Sequence, residues 1–357
     1  VLEAWLACRR NKRNTASALA FEARLEQNIA ELRDAFTEGT YAPGRSICFV
    51  ITRPKPREVW AAPFRDRVGH HLLYLAVAER FERAFIVDSC ACIPGRGTLY
   101  AARRLEAKVR SITRNWKRPA YYLKLDLANF FVSIDKRLLR DLLAEKIHEP
   151  KLMDLAERIL FHDPRADVEL QSPPERLALV PPHKSLMNQP AHLGLPIGNL
   201  SSQFFANVYL DVLDQFVKHR LRARHYVRYV DDFVLLHESP QQLNAWRAAI
   251  EAFLPERLGV RLNPAKTILQ PVERGIDFVG HLIKPWRRSI RPRTVRASID
   301  RIAITPSADL HESANSYFGL FRQASHSHRD RARLARILLR RGWSVDHRLT
   351  KIYRRSA

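Results

Sequence analysis

Apolar residues recur along this chain with two periods, and the places where the period changes mark its elements. Residues 16–36 carry Leu, Phe and Ile at helical spacing, and "DRVGHHLLYLAVAERFERAFIV" (66–87) predicts a second, longer helix. Between them, "ICFVITRPKPREVWAAP" (47–63) is two apolar runs broken by a Pro-flanked basic turn, the pattern of a hairpin. "DSCACIPGRGTLYAARRLEAKVR" opens as a Gly- and Pro-marked loop and continues as a basic helix. In "YYLKLDLANFF" (121–131), Leu123, Leu125 and Leu127 alternate with Lys124, Asp126 and Ala128. That period of two predicts a strand with leucines on one face and Asp126 on the other.

Residues 163–194 are rich in Pro, His and Gly and poorly periodic, which reads as a long loop or surface insertion. After "GLPIGNLSS", residues Phe205, Val208, Tyr209, Val212, Leu213, Phe216 and Val217 trace one face of a helix, with Ser201 or Ser202 as its N-cap. "YVRYVDDFVLL" (226–236) then predicts a hairpin with Asp231 and Asp232 at its turn. A helix over 240–258 and a strand over 275–283 follow. From 286 the chain is helical and Arg-dense ("RARLARILLRR"), a separate C-terminal unit. Strands and helices mix without strict alternation, so the fold class is α+β.

Charge changes the picture more than composition does. The 357 residues are 46% hydrophobic, enough for two or three subdomains, and no internal repeat is visible. Sixty Lys and Arg against 37 Asp and Glu leave a net charge of +23, which points to a polyanionic partner. A generically basic protein is the plain alternative. No run of about 18 uncharged apolar residues exists, so no membrane is expected. The N-terminal stretch lacks the layout of a secretory signal. Cys8, Cys48, Cys90 and Cys92 match neither a disulfide scaffold nor a zinc pattern and suit a reducing cytoplasm.

The adjacent carboxylates of Asp231 and Asp232 repel one another, and an apolar setting makes each charge expensive. A solvated turn would remove the difficulty; a divalent cation would also remove it. If the strand of Asp126 pairs with this hairpin, three carboxylates converge with no basic residue between them. Two metal ions about 3.5–4 Å apart are the arrangement for in-line displacement at phosphorus. Taken alone, Asp126 is equally compatible with a cap or a turn.

At this point the residues resemble a family. "RYVDDFVLL" resembles the Y-x-D-D hairpin of reverse transcriptases, and "LKLDLANFFVSID" their first catalytic strand. "RPKPREVWAAPFRDRVGHHLL" (53–73) resembles the fingers segment, and "SCACIPGRGTLYAARRL" (89–105) the motif that follows it. "GLPIGNLSSQFFANVYLDVLD" (194–214) resembles the block before the catalytic hairpin; "LGVRLNPAKTIL" (258–269) and "IDFVGHLI" (276–283) resemble the last two palm motifs. Seven ordered blocks over roughly 45–283 imply a right-hand polymerase: fingers (1–120), first palm strand (121–138), a fingers insertion (139–195), palm (196–285) with a ferredoxin-like antiparallel sheet, and a helical thumb (286–357).

The resemblance also implies roles. Asp126, Asp231 and Asp232 would hold two Mg2+ ions, with Mn2+ able to substitute and the Leu127 carbonyl as an extra ligand. Phe131 matches the steric gate against a ribose 2′-hydroxyl, with Phe130 as competitor and an ordinary core aromatic as the plain alternative. Lys55 and Arg57 match the residues that hold the triphosphate. Ile197, Gly198, Ser202 and Gln203 would line the nucleotide pocket. Arg96, Tyr229, Lys266 and Gly280 match positions near template or primer; a loop arginine is as compatible with a structural role. I-G-x-x-x-S-Q at 197–203 resembles the reverse transcriptases of diversity-generating retroelements, which copy a template RNA with errors at adenines. Losing a polar contact at Ile197 would loosen discrimination. The implied partners are template RNA, primer or cDNA strand, dNTPs, a small basic accessory protein and a structured non-coding RNA, in a bacterial cytoplasm. A retron-like or antiphage enzyme and a non-catalytic RNA-binding scaffold are the competing readings.

Overall fold

The computed structural model describes residues 1–10, 15–53 and 55–354. Helices α1 (Leu2–Arg9), α2 (Ala16–Glu22) and α3 (Leu25–Glu38) pack on α4 (Phe64–Glu82), and the chain between α3 and α4 forms a hairpin of β1 (Ser46–Ile51) and β2 (Arg57–Ala61). The helix expected across 16–36 is two helices, because Arg24 leaves helical geometry at φ −130° and ψ 46°. The hairpin is antiparallel, with Ile51 opposite Arg57 beside its Pro-flanked turn.

Strand β3 (Tyr121–Asp126) follows α5 (Thr98–Ile112) and leads through α6 (Phe130–Ser133) to α7 (Lys136–Ala144) and α8 (Pro150–Phe161). The Pro-rich stretch expected as a loop contributes β4 (Val168–Leu170), which pairs parallel with β1, and the single turn α9 (Pro174–Leu177). The buried Glu58 carboxylate anchors this stretch: it accepts from the Leu186 amide at 2.9 Å and from the Ser185 hydroxyl. An internal carboxylate with several donors is a fixed anchor.

Helix α10 (Leu200–Gln215) precedes β5 (Tyr226–Tyr229), β6 (Asp232–His237), α11 (Pro240–Leu258) and β7 (Ile268–Pro271). These strands form a four-stranded sheet in the order β5-β6-β3-β7, antiparallel throughout. Alternation sorts its side chains into two cores. Leu123, Leu125, Phe233 and Leu235 join Phe205 of α10 and Ile250 of α11 on one face. Tyr122, Val234 and Leu236 join Leu105 and Val109 of α5 on the other. The leucine alternation therefore predicts the orientation of β3 correctly. Asn199, not Ser201 or Ser202, is the N-cap of α10; both serines lie buried in its first turn. Its side chain faces away from the helix, accepting the Ala62 amide at the end of β2 at 3.2 Å.

The strand expected over 275–283 is a bent pair, β8 (Ile276–Phe278) and β9 (His281–Lys284), turning at Val279 and Gly280 with φ of 45° and 88°. β10 (Arg287–Ile290) completes that sheet, so residues expected to open the thumb finish a sheet that starts at β8. Beyond it, α12 (Pro292–Ile304), α13 (Ser307–Phe321) and α14 (His328–Arg340) enclose their own core around Phe318, Phe321 and Leu334. A small hairpin, β11 (Trp343–Val345) and β12 (Ile352–Arg354), closes it, so this unit is not purely helical. No helix among the described residues is long and apolar enough to cross a membrane. Cys48, Cys90 and Cys92 carry free thiols.

Candidate active site

The register of β3 against β6 sets Asp126 directly opposite Asp232. Directly opposed residues share a face. Asp231 occupies the two-residue turn between Tyr229 and Asp232, where its carbonyl accepts the Leu127 amide at 3.1 Å. The other turn residue, Val230, has φ 54°. A β-branched residue there is strained by about 1–3 kcal/mol and must be held by its surroundings.

Arg228 supplies that hold. Its guanidinium is fully buried, donates to both carboxylate oxygens of Asp214 at 2.8 and 2.6 Å, and reaches the Val230 carbonyl at 3.2 Å. Ser89 Oγ at 2.9 Å and Asn207 Oδ1 at 3.3 Å accept its remaining donors, and the Tyr226 hydroxyl donates to Asp214 at 2.7 Å. One charge pair thus fastens the turn to α10 and to the loop before α5.

The carboxylates themselves are held more loosely. Lys266 Nζ donates to both oxygens of the buried Asp126 carboxylate at 2.7 Å. Lys124 Nζ pairs with Asp232 Oδ2 at 3.0 Å and donates to the Asp277 carbonyl at 2.8 Å. The expectation of three carboxylates without a basic residue between them is therefore wrong: two lysines offset their repulsion. Lys124 was legible, since it lies two residues before Asp126 on the same face of a strand. Burial pushes the Asp232 carboxyl up to about 6, against the pull of Lys124. Burial and then the Asp126 charge push Asp231 up as well. Asp232 Oδ1 is buried without a partner.

This donor set fits a hard divalent cation in its chemistry: oxygen ligands, mutual repulsion, and an orphaned buried acceptor. Lysine ammonium groups stand where such cations would neutralise charge. Among the described residues no group of three His, Cys, Asp or Glu side chains is arranged to hold a metal ion, and Lys266 engages both oxygens of Asp126.

Residues 73–283 match the model of the family described as reverse transcriptase (RNA-dependent DNA polymerase), more than half of the chain. The chain belongs to the reverse transcriptase family. It is 24% identical to Protein YkfC of Escherichia coli across 84% of this chain and 81% of that protein. It is 21% identical to a COX1/OXI3 intron 2 protein of Saccharomyces cerevisiae across 47% of this chain, spanning 24% of that protein. In fold it is similar to the telomerase of Candida albicans, solved in complex with a fragment of telomeric RNA, at a TM-score of 0.54 and 11% identity. That match covers 91% of this chain and 58% of the telomerase chain. The right-hand polymerase fold and nucleotidyl transfer by an RNA-directed DNA polymerase follow from the family.

In this reverse transcriptase the block before α10 docks on the β1–β2 hairpin. The Trp60 amide donates to the Ile197 carbonyl at 2.7 Å. Gly198 has φ +134°, and a Cβ there would stand 2.6 Å from the Trp60 carbonyl oxygen, so no other residue fits this approach. The hairpin brings the positive charge of Arg57 to bear on Asp231, partly opposing the upward shift of its carboxyl. Lys55 is exposed at the hairpin tip; Gln203 is exposed and Ser202 buried at the start of α10.

Phe131 is half-buried on α6, and its carbonyl accepts the Leu195 amide at 2.8 Å beside this same block. Its competitor Phe130 is a core residue packed on Tyr209 with ring centres 6.4 Å apart. Tyr229 is half-buried against the second core, and Gly280 sits in the β8–β9 turn. The Arg96 guanidinium donates at 2.9 Å to the carbonyls of Ile86 and Ser89, a structural tie within its own loop, the alternative weighed for it beside a nucleic-acid contact. Arg228 and Asp214 were missed at the sequence level; an Arg between two aromatic strand residues gave no hint of an internal partner fourteen positions earlier.

Proposed function

We propose that this reverse transcriptase extends a DNA primer on an RNA template with Asp126, Asp231 and Asp232 as its metal-binding carboxylates. The observation that carries this is the pairing of Asp126 with Asp232 across β3 and β6, beside a turn that presents Asp231. Two Mg2+ ions, with Mn2+ able to substitute, would be held by Asp126, Asp231 and, less directly, Asp232 and the Leu127 carbonyl; when bound they neutralise phosphate charge and acidify the primer hydroxyl. The bond formed is from the primer 3′-oxygen to the α-phosphorus, the bond broken is to pyrophosphate, and the hydroxyl proton leaves to solvent. Arg57 and Lys55 clamp the triphosphate from the hairpin; Arg suits phosphate by donating two parallel bonds. Phe131 excludes a 2′-hydroxyl, while Ile197, Gly198, Ser202 and Gln203 shape the nucleotide seat and Tyr229 and Gly280 support the primer end.

The finer reading is an error-prone enzyme of a diversity-generating retroelement, working with a structured template RNA and a small basic accessory protein in a bacterial cytoplasm. The I-G-x-x-x-S-Q block supports it, because an aliphatic Ile197 offers the incoming nucleotide no hydrogen bond. Primer extension on a homopolymer RNA with Mg2+ tests both levels. Asp231→Asn is expected to abolish incorporation; extension equal to wild type would overturn the assignment of these carboxylates, and no extension by wild type would leave a non-catalytic RNA-binding scaffold. Ile197→Gln is expected to lower misincorporation opposite adenine several-fold, and an unchanged error spectrum would remove the retroelement argument. Flanking defence genes instead of a repeat pair differing at template adenines would favour an antiphage enzyme.

A further inference from the structure

The turn joining β9 to β10 contains two residues, Pro285 and Trp286. Trp286 has φ 64°, at the position after proline where Gly or Asn is the unstrained choice. Its indole is 60% exposed, whereas the other five tryptophans are buried or half-buried. A large aromatic ring placed in a costly conformation and excluded from every core is there for what its surface touches.

Its surroundings state the chemistry of that contact. Trp286 lines an open cleft of about 490 Å³ with Lys284, Pro285, Arg287 and His326, and no carboxylate lines it. Lys284 and Arg287 are directly opposed in the ladder and so share a face. Neither side chain has an ion-pair or hydrogen-bond partner among the described residues. The far wall is fixed rather than loose. The Ser325 amide donates to the Arg288 carbonyl at 2.9 Å, and the Arg288 amide donates to Ser325 Oγ at 2.7 Å, which sets His326 beside the turn. The cleft is thus built from the palm-side sheet and the α13–α14 connection together.

We propose that Trp286 is a stacking platform for an unpaired base of single-stranded RNA, with Lys284, Arg287 and His326 holding the adjoining phosphates. An exposed ring flanked by unpaired cations is the combination that binds single strands without reading sequence. A paired duplex offers no free base face and would engage only the cations. In a family that copies RNA, the ligand is a template segment outside the catalytic site, at the opposite end of β9 from Gly280.

The test measures binding of a labelled oligoadenylate RNA by anisotropy, without nucleotides or metal, so its result stands whether or not the carboxylates hold ions. Titration of wild type is expected to quench tryptophan emission. Trp286→Asn removes the ring at a backbone position that Asn tolerates; it is expected to weaken binding about tenfold and to abolish most of the quench. Trp286→Phe keeps a ring and is expected to bind within about threefold of wild type. Lys284→Gln with Arg287→Gln is expected to reduce the salt slope by about 1.4. Binding of a blunt RNA duplex should not change in Trp286→Asn. Wild-type affinity in Trp286→Asn, an equal loss for duplex and single strand, or displacement of the RNA by polyglutamate as readily as by unlabelled RNA would each overturn the proposal.

Discussion

Two sets of acid–base pairs lie around the same four-stranded sheet, and they are built to opposite specifications. Asp214 and Arg228 are both fully excluded from water, bonded through two oxygens, and surrounded by further partners. Asp126 meets a Lys266 side chain that is 47% exposed, and Asp232 meets Lys124, a partner shared with the Asp277 carbonyl, while one of its own oxygens has no partner. The first pair is permanent because nothing can replace either member without leaving a buried charge. The second set is exchangeable: ammonium groups on flexible stems can yield to another cation. A rigid pair positions the turn, whereas Asp126 and Asp232 meet only lysine ammonium groups.

The largest effect should come from breaking the permanent pair. Arg228→Met alone strands a buried Asp214 and is expected to destabilise the protein by about 3–5 kcal/mol in a urea melt. Adding Asp214→Leu should recover much of that stability, since apolar replacements of buried pairs are often tolerated. Primer extension should stay low in the double variant, because nothing then holds the Val230 carbonyl at φ 54°. If the double variant regained both stability and extension, Arg228 would be a fold-stabilising residue only, and the contrast between the two sets would lose its functional meaning.

The same contrast separates what the sequence disclosed from what it hid. The strand of Asp126 was legible because leucine alternation is a local signal, and the hairpin of Asp231 because apolar runs flank it. Lys124 obeys that alternation, yet its partner sits on another strand, so only the register reveals the pair. Asp214 and Arg228 were hidden for a stronger reason: an amphipathic helix and an aromatic strand each appear to carry an ordinary surface charge until they pack. β4 is three residues in a Pro-rich stretch, and its pairing with β1 is flanked by bonds from the Gln171 amide to the Cys48 carbonyl and from the Val50 amide to Ser172 Oγ, none of which its own pattern announces. The turn inside 275–283 escaped because Val-Gly within an apolar run carries no turn signature, although Gly280 takes the positive φ.

A smaller effect is expected from a contact that is locked without charge. His70 of α4 is buried, with Nδ1 2.5 Å from the Ser201 hydroxyl at the start of α10. Burial, then the neighbouring His71, His162 and Arg67 charges, push its imidazole down to about 3. The unfolded chain therefore binds a proton near its ordinary value of about 6.5 that the folded protein refuses until much lower pH. Stability is fully present above that value and falls as pH drops from about 6.5 toward 3. His70→Gln should flatten this part of the pH–stability curve while costing about 1 kcal/mol at pH 7, where a neutral hydrogen bond is weakened. An acid limb identical to wild type would assign the loss to other groups.

The smallest effect on stability, and the sharpest on the comparison, should come from Lys266. Because its side chain is half in water, its pair with Asp126 contributes under about 1 kcal/mol, and Lys266→Met should lower metal-free stability by no more than that. Removing it also removes the cation with which a divalent ion must compete for the same two oxygens. Mn2+ binding followed by electron paramagnetic resonance, with no nucleotide present, should therefore tighten in Lys266→Met. Thermal stabilisation by Mn2+ should grow to match, since a ligand that binds only the folded state stabilises it in proportion to its affinity. Lys266→Arg should go the other way, because a planar fork grips a carboxylate through two bonds and yields less readily. Equal Mn2+ affinity in all three proteins would mean that Asp126 and Lys266 form a fixed pair like Asp214 and Arg228, and that the carboxylates are not held open for metal by an exchangeable lysine.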